Sequence, residues 1–256
     1  MSSTLAARRA RFRALHESGC FILPNPWNAG SARRLEKRGF AALASTSSGA
    51  AWEMGRQDGD LSRDEVLAHL RTLCAATDLP VNADFEAGFA DSPDGVAANV
   101  ALAADTGIAG LSIEDRTGAT LYELSLATDR IAAASEALQR TAPDVLLVAR
   151  TEGFLIGRTS LSDTIARLAA YAEAGAQCLY APGVTDMGAI RELVAAVAPL
   201  PANVLLWHGL RVAELAQAGV RRVSTGGALA AAAWAGFDAA ARLLLDEGTL
   251  PPRAPA

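Results

Sequence analysis

Ionisable side chains follow three consecutive apolar runs in the middle of the sequence. They are Asp84, Glu86, Glu114 and Arg150. Each apolar run has the length and composition of a buried β-strand, so its charged residues come at a strand end. In parallel α/β proteins the C-terminal ends of the strands share one edge, and active sites are located there. The spacing therefore predicts that these carboxylates and the guanidinium surround a common pocket.

The grouped carboxylates predict a metal site. Asp84 and Glu86 lie two residues apart, which puts both side chains on one face of an extended strand. Glu114 comes from the next strand, and Asp58 comes from the loop after the second predicted strand. Because these acids would repel one another, a bound divalent cation would remove that cost. Oxygen donors without a cluster of His or Cys favour Mg²⁺ or Mn²⁺ over zinc.

Other residues near the predicted pocket suit an anionic substrate. Arg150 supplies a fixed positive charge for a substrate carboxylate or a developing oxyanion. Ser47, Ser48 and the Gly49 amide could hold another carboxylate. Lys37 is the only lysine in the chain and lies in a predicted helix. This excludes a Schiff-base mechanism through a lysine at a strand end.

Some acidic residues after strands have a simpler interpretation. Asp91, Asp115 and Asp186 could each cap the next helix, because a single carboxylate accepts hydrogen bonds from free N–H groups there. His208 follows the seventh predicted strand, where a lone His is more typical of packing than of catalysis.

The composition limits the classes of function. The chain has 256 residues, of which 51% are apolar and 20% charged, and its net charge is −5. The absence of a basic run argues against nucleic acid as a partner. Three cysteines lie far apart without a CxxC pair, which disfavours disulfides and zinc. No signal peptide and no run of about eighteen apolar residues is found. We therefore expect a cytoplasmic protein that does not cross a membrane.

Eight apolar runs alternate with helical patterns along residues 1–256, and we find no domain boundary. This alternation predicts a single (β/α)8 TIM-type barrel. An open doubly wound sheet is the alternative, but no G-x-G-x-x-G follows the first strand. Residues 50–61 are expected to form a long loop. A capping box that begins at Ser62 is expected to open the next helix. Residues Pro251 to Pro255 are expected to form a disordered tail. The predicted strands cover residues 21–24, 40–44, 81–85, 110–114, 145–149, 177–180, 204–206 and 220–223.

Four short motifs resemble the isocitrate lyase/phosphoenolpyruvate mutase superfamily. The segment ADFEAGF at residues 83–89 is similar to its D-x-D-x-G-x-G metal motif, and SIED at residues 112–115 is similar to its I-E-D. ARTE at residues 149–152 resembles A-R-T-D, and LPNPWNA at residues 23–29 resembles the family's P-G-x-x-D start. The resemblance extends over residues 10–245.

The resemblance implies a barrel whose C-terminal helix is exchanged between subunits of a homodimer or homotetramer. It implies Mg²⁺ near Asp84, with Glu86, Glu114 and Asp58 reaching the cation directly or through water. It implies that Arg150 and the Ser47–Gly49 stretch, through Ser47, Ser48 and Gly49, bind a 2-oxo acid or its enolate, with Arg150 and Asp58 as catalytic residues. Members of the family cleave or form a C–C or P–C bond next to a pyruvate-like unit.

This chain departs from the family in the segment after the fourth predicted strand. The lyases carry a K-K-C-G-H loop there, whereas residues 116–122 hold no Cys, His or Lys. The departure disfavours isocitrate cleavage, methylisocitrate cleavage and phosphonate chemistry. Oxaloacetate-type decarboxylation stays open, because CO₂ leaves unaided once the enolate is stabilised. A barrel of the same fold that binds a metabolite with weak or no turnover is the alternative.

Overall fold

A computed structural model describes residues 3–252, so residues 253–255 of the expected disordered tail lie outside the described part. The strands in this part are β1 (Phe21–Leu23), β2 (Leu43–Ala44), β3 (Val81–Asp84), β4 (Gly110–Glu114), β5 (Arg116–Thr117), β6 (Thr120–Leu121), β7 (Leu146–Arg150), β8 (Cys178–Tyr180), β9 (Ala202–Leu205) and β10 (Arg222–Ser224). The helices are α1 (Leu5–Leu15), α2 (Ala29–Lys37), α3 (Ser47–Glu53), α4 (Arg63–Ala76), α5 (Pro93–Ala104), α6 (Leu124–Thr141), α7 (Leu161–Glu173), α8 (Met187–Val197), α9 (Val212–Gln217) and α10 (Ala228–Glu247).

Eight of the strands form one parallel sheet that closes on itself. Its order is β1-β10-β9-β8-β7-β4-β3-β2. The two end strands meet where the Ala44 N–H donates to the Pro24 carbonyl at 3.1 Å. Each sheet strand connects to the next through a segment that contains at least one helix. The predicted (β/α)8 barrel is therefore confirmed, and every strand delivers its C-terminal end to the same rim.

Asn25 holds the two end strands together at this rim. Its Nδ2 donates to the Ser45 carbonyl at 2.7 Å. Its Oδ1 accepts from the N–H groups of Thr225 and Gly226, both at 2.9 Å. One buried amide thus links the ends of β1, β2 and β10.

Apolar side chains fill the barrel from the opposite end. Helix α1 contributes the fully buried Phe12 to one apolar cluster with Leu146, Val148 and Cys178 of the barrel strands. A larger apolar cluster lies between the strands and the surrounding helices. Because both faces of the strands are covered, the strands read as continuous apolar runs in the sequence.

Two local predictions differ from the structure, and one is confirmed. Residues 50–61 were expected to be a loop, but they begin inside α3, whose N-cap is Thr46. The segment after β4 is a β5–β6 hairpin instead of a loop. The capping box at the start of α4 is present, since Ser62 and Glu65 exchange side-chain and backbone hydrogen bonds.

Helix α10 leaves the barrel with most of its surface exposed. Ala230 is its only buried residue, and the exposed fractions of Phe237 and Leu245 are 63% and 85%. Among the helices of the described chain, α10 alone is long and apolar enough to cross a membrane, judged by length and composition. Asp238 and Arg242 lie within this helix, so the sequence contains no uninterrupted apolar run of that length.

Replacing Asn25 by Ala should destabilise the barrel by about 2 kcal/mol or more, because two backbone N–H groups lose their acceptor. Urea denaturation of the wild type and the variant measures this difference. Gln57→Ala removes an exposed amide and should change the free energy of unfolding by less than about 0.5 kcal/mol. Equal stability of the Asn25→Ala variant and the wild type would show that the rim does not depend on this side chain.

Candidate active site

Arg150 lies at the centre of a group of carboxylates on the C-terminal rim. Its Nη1 is 3.3 Å from Asp84 Oδ1 and 3.4 Å from Glu114 Oε2. Its Nε donates to Glu152 Oε1. The strand register causes this arrangement, because Glu114 and Arg150 are paired across β4 and β7. The structure therefore brings Asp84, Glu114 and Arg150 together, as their positions at the strand ends predicted.

The start of α3 fixes the orientation of Asp84. The Ser47 N–H donates to Asp84 Oδ2 at 2.9 Å, and the Asp84 N–H donates to Ser45 Oγ at 2.8 Å. Ser48 Oγ is 3.0 Å from Thr46 Oγ1, and the Gly49 N–H donates to the same Thr46 oxygen. The helix cap thus uses the Gly49 amide that we expected to bind substrate, while Ser47 and Ser48 still line a cavity.

Glu86 occupies an unusual backbone conformation. Its φ is 46°, in a region that non-glycine residues rarely adopt, and Phe89 has a φ of 55°. The fully buried Arg130 stabilises this turn by donating to the carbonyls of Ala87, Ala90 and Asp91. The strained turn presents Glu86 to the pocket, where its Oε1 is buried and has no hydrogen-bond partner.

Burial raises the pKa of several pocket acids. It raises the pKa of Glu86 to about 7, and the nearby charges of Asp84 and Asp58 add to this shift. It raises the pKa of Glu114 to about 8, although the Arg150 charge opposes the increase. Burial lowers the pKa of Arg150, but Coulombic attraction to Glu114 and the other acids outweighs it. Arg150 therefore stays charged among acids that are easily protonated.

Asp58 stands on the other side of the pocket and keeps contact with solvent. Partial burial against the neighbouring protein raises the pKa of Asp58, and the charge of Asp84 acts in the same direction. A hydrogen bond with the Ser47 side chain and the charge of Arg150 oppose the shift. A carboxyl group with a raised pKa and solvent access can exchange protons with a substrate.

A second group of residues behind Arg150 was not assigned to the site by the sequence analysis. Asp115 Oδ1 accepts from the Glu152 N–H at 2.9 Å, and its Oδ2 accepts from Tyr171 Oη at 2.6 Å. Arg167 Nη1 lies 3.2 Å from the same oxygen. Asp115 therefore does not cap a helix but fixes Glu152, which in turn orients Arg150. Asp186, in contrast, is the N-cap of α8.

Two adjoining cavities open at this rim. The polar chamber has a volume of about 320 Å³. The apolar chamber has a volume of about 660 Å³. Ser47, Asp58 and Arg150 line both. The polar chamber is otherwise lined by Gly59, Glu86, Ala87, Glu114, Arg116, Gly118 and Glu152.

The residues of the polar chamber fit a hydrated divalent cation. Its lining holds the carboxyl groups of Asp58, Glu86, Glu114 and Glu152 against two guanidinium groups. Within residues 3–252, no three His, Cys, Asp or Glu side chains are close enough to hold a metal ion directly. Mg²⁺ keeps several waters and needs only one or two carboxylates. The unpartnered oxygen of Glu86 can coordinate such an ion or accept a hydrogen bond from one of its waters.

The chain is similar to one family profile and to a 2-methylisocitrate lyase. The family profile described as phosphoenolpyruvate phosphomutase matches residues 12–245. The 2-methylisocitrate lyase of Escherichia coli strain K12 is 33% identical over 189 residues, which cover 69% of this chain and 62% of that enzyme.

Two solved structures share the barrel over nearly the whole chain. A candidate lyase/mutase from Burkholderia cenocepacia J2315 is 47% identical, with a TM-score of 0.93, covering 96% of this chain and 91% of that protein. A 2,3-dimethylmalate lyase, a member of the PEP mutase/isocitrate lyase superfamily, is 26% identical with a TM-score of 0.86. The match covers 98% of this chain and 90% of that lyase.

Mg²⁺ should bind more tightly at pH 9 than at pH 6, by on the order of tenfold or more, because a cation must displace protons from raised-pKa acids. The pKa values of about 7 for Glu86 and about 8 for Glu114 place this change between pH 6 and 9. Isothermal titration calorimetry measures the affinity at both pH values. Glu86→Gln should weaken the pH dependence, whereas the exposed Glu136→Gln should keep it. An affinity that is equal at pH 6 and pH 9 would contradict this account.

Proposed function

Because the chain belongs to the phosphoenolpyruvate phosphomutase family, within the isocitrate lyase/PEP mutase superfamily, we propose that it is a Mg²⁺-dependent enzyme of the lyase type. It breaks a C–C or P–C bond next to the 2-oxo or 2-hydroxy carboxylate unit of a small acid, through a pyruvate-enolate-like intermediate. The observation that carries the proposal is the Arg150 guanidinium, held among Asp84, Glu114 and Glu152 at the strand ends.

Arg150 binds the acid head of the substrate in this proposal. Its Nε and Nη1 are occupied by carboxylates, while within the described residues Nη2 donates to no protein atom. Nη2 can therefore donate a charge-assisted hydrogen bond to a substrate carboxylate or to the oxygen at C2. As the bond breaks, negative charge collects on that oxygen, and a fixed positive charge in a partly dehydrated pocket stabilises it.

Asp84, Glu86 and Glu114 are the residues that would hold Mg²⁺ or Mn²⁺, either directly or through water molecules bound to the ion. When bound there, the cation would act as a Lewis acid on the oxygens of the substrate. Asp58 lines both chambers and exchanges the proton of the reaction, because it keeps contact with solvent and burial raises the pKa of its carboxyl group.

The bond cleaved depends on which group near the β5–β6 hairpin can donate a proton to the leaving group. Residues 116–122, which include this hairpin, offer Arg116 and Tyr122 but no Cys, His or Lys. Loss of CO₂ from a 2-oxo dicarboxylate needs no proton donor for the leaving group. We therefore place decarboxylation of an oxaloacetate-like acid first among the reactions. The same lack of a thiol favours, as the second candidate, a barrel that binds such an acid without turnover.

The wild type should turn over one member of a panel of oxaloacetate, phosphonopyruvate, methylisocitrate and isocitrate, with release of pyruvate from any of the first three, and chelation of Mg²⁺ should abolish the release. A coupled assay for pyruvate measures it, with detection of glyoxylate when isocitrate is the substrate. Arg150→Ala should lower kcat/KM at least about a hundredfold, because the developing charge loses its fixed partner.

Arg140→Ala is the matched control for this assay. Arg140 is an exposed arginine on α6 whose nearest acid is Glu136, so its loss should leave turnover unchanged. Release of pyruvate that survives both chelation and Arg150→Ala would contradict the proposed mechanism. Binding of Mg²⁺ and a 2-oxo acid without any product would instead support the second candidate.

We also propose that α10 packs against a second copy of the chain in a homodimer or homotetramer. Trp234, Phe237, Leu244 and Leu245 form an exposed apolar stripe at helical spacing. The rings of Trp234 and Phe237 contact each other edge to face at 5.9 Å. A stripe of this size on a water-soluble protein is typical of an interface.

Phe237→Asp should convert the assembly to monomers, because a buried carboxylate at the centre of the stripe would be unpaired. Sedimentation velocity in detergent-free buffer measures the mass of each species. Leu102→Asp, which changes an exposed leucine on α5, should leave the mass unchanged. A monomeric wild type at micromolar concentration, or a wild type that needs detergent to stay dispersed, would rule out this packing of α10.

A further inference from the structure

We propose that the substrate carries an uncharged, apolar substituent, and that this substituent lies in the apolar chamber while the acid head lies in the polar chamber. The proposal rests on the proposed function for the identity of the head. It adds the chemical class of the rest of the molecule, which neither the family profile nor the relatives fix.

The two chambers meet at the residues that would hold the head. Ser47, Asp58 and Arg150 line both cavities. Glu86, Glu114 and Glu152 line only the polar chamber. A substrate whose carboxylate reaches Arg150 therefore has one side facing the acids and the cation site. Its other side faces the apolar chamber.

The walls of the apolar chamber are large apolar side chains. They include Trp52, Leu155, Leu205, Leu206 and Trp207. Leu155 and Trp207 are 40% and 50% exposed, although both are apolar. Apolar surface left open to solvent inside a cavity beside a reactive group is a binding surface, because a ligand that covers it removes the surface from water.

The charges along this chamber disfavour an acidic group on the substituent. Arg150 is the only arginine among its described lining residues, and no lysine lines it. Asp58 and Asp84 add negative charge near the junction with the polar chamber. His208 also lines the chamber but is exposed to solvent. Ser47, Ser48 and Arg150 can hold the carboxylate of the head at the junction, but a further carboxylate beside Leu155, Leu205 and Leu206 would lose hydration against apolar walls.

The size of the chamber indicates a substituent of several carbons. Pockets for small molecules measure roughly 300–1,000 Å³, and the polar chamber, at about 320 Å³, already suffices for a three-carbon acid with a hydrated cation. The further 660 Å³ beside Arg150 are not needed for such a head. An alkyl or aryl group attached to the head fits this space and its lining.

The test measures binding of unreactive 2-oxo acids, so that it does not depend on turnover. Calorimetry at saturating Mg²⁺ compares pyruvate, 2-oxobutanoate, 2-oxopentanoate and 2-oxohexanoate with the dicarboxylate 2-oxoglutarate. Affinity should rise about fourfold for each added methylene, as expected for a buried CH₂. The affinity of 2-oxoglutarate should stay at or below that of pyruvate.

A charge placed on the chamber wall should reverse this preference. Leu155→Arg should strengthen binding of 2-oxoglutarate and weaken binding of 2-oxohexanoate, because the new guanidinium pairs with the second carboxylate. Leu124→Arg is the matched control, since Leu124 is exposed to a similar extent, 38%, on α6 away from both chambers. The control should show the wild-type order of affinities.

The outcomes separate this inference from the proposed function. If pyruvate and its homologues bind with equal affinity, or if 2-oxoglutarate binds best to the wild type, the apolar substituent is ruled out while the proposed head stands. If none of these acids binds in the presence of Mg²⁺, the proposed function fails, and the inference fails with it.

Discussion

The buried charge of Arg150 is the constraint on which the rim of the barrel depends. A guanidinium that is largely removed from water is costly unless carboxylates surround it. Asp84, Glu114 and Glu152 do so from two neighbouring strand ends and the segment after β7. Each of these acids would in turn be destabilised without the arginine. The ion group therefore holds the ends of β3, β4 and β7 in one arrangement, and the same arrangement gives the pocket its charge.

The rim holds more carboxylates than guanidinium groups, and this excess explains the strained turn that carries Glu86. Glu86 stands at a φ of 46°, a conformation that costs about 1–3 kcal/mol. Three carbonyls of the turn accept from Arg130, and Asn99 Nδ2 donates to the carbonyls of Gly88 and Phe89. These buried hydrogen bonds offset the strain. These hydrogen bonds hold the Glu86 carboxylate, with one unpartnered oxygen, in a pocket that already contains several acids. Such an arrangement is stable only if a cation or a proton is bound there.

The strand ends could be predicted from sequence because the barrel is regular. Apolar runs give the strands, and the parallel order puts Asp84, Glu114 and Arg150 at one rim without any knowledge of side-chain geometry. Start positions were less accurate: the second strand was expected from Phe40 but begins at Leu43. Helix α3 was missed entirely, because Ser47, Ser48 and Gly49 have weak helix propensity and only the Thr46 cap reveals the helix start.

The positioning residues could not be predicted, since their partners are distant in sequence. Asp115 and Tyr171 are 56 residues apart, and Asp115 and Glu152 are 37 apart. Nothing local distinguishes Asp115 from an N-cap residue, so sequence reasoning left both interpretations open. Glu152 was quoted within a motif but received no role. Its part becomes visible only when the β4–β7 register brings Glu114 opposite Arg150.

The start of α10 connects the pocket to the exposed stripe. Ala228 and Ala231, in the first turn of α10, line the apolar chamber. A side chain at Gly227 would meet Ser48 Oγ at 2.7 Å, and one at Gly49 would meet the Ala230 methyl group at 3.2 Å. The first turns of α3 and α10 are therefore packed closely on each other, so a tilt of α10 would move Ser48 and the chamber wall together. The proposed packing of α10 on a second copy of the chain would therefore also bear on the wall of the apolar chamber, through Ala228 and Ala231.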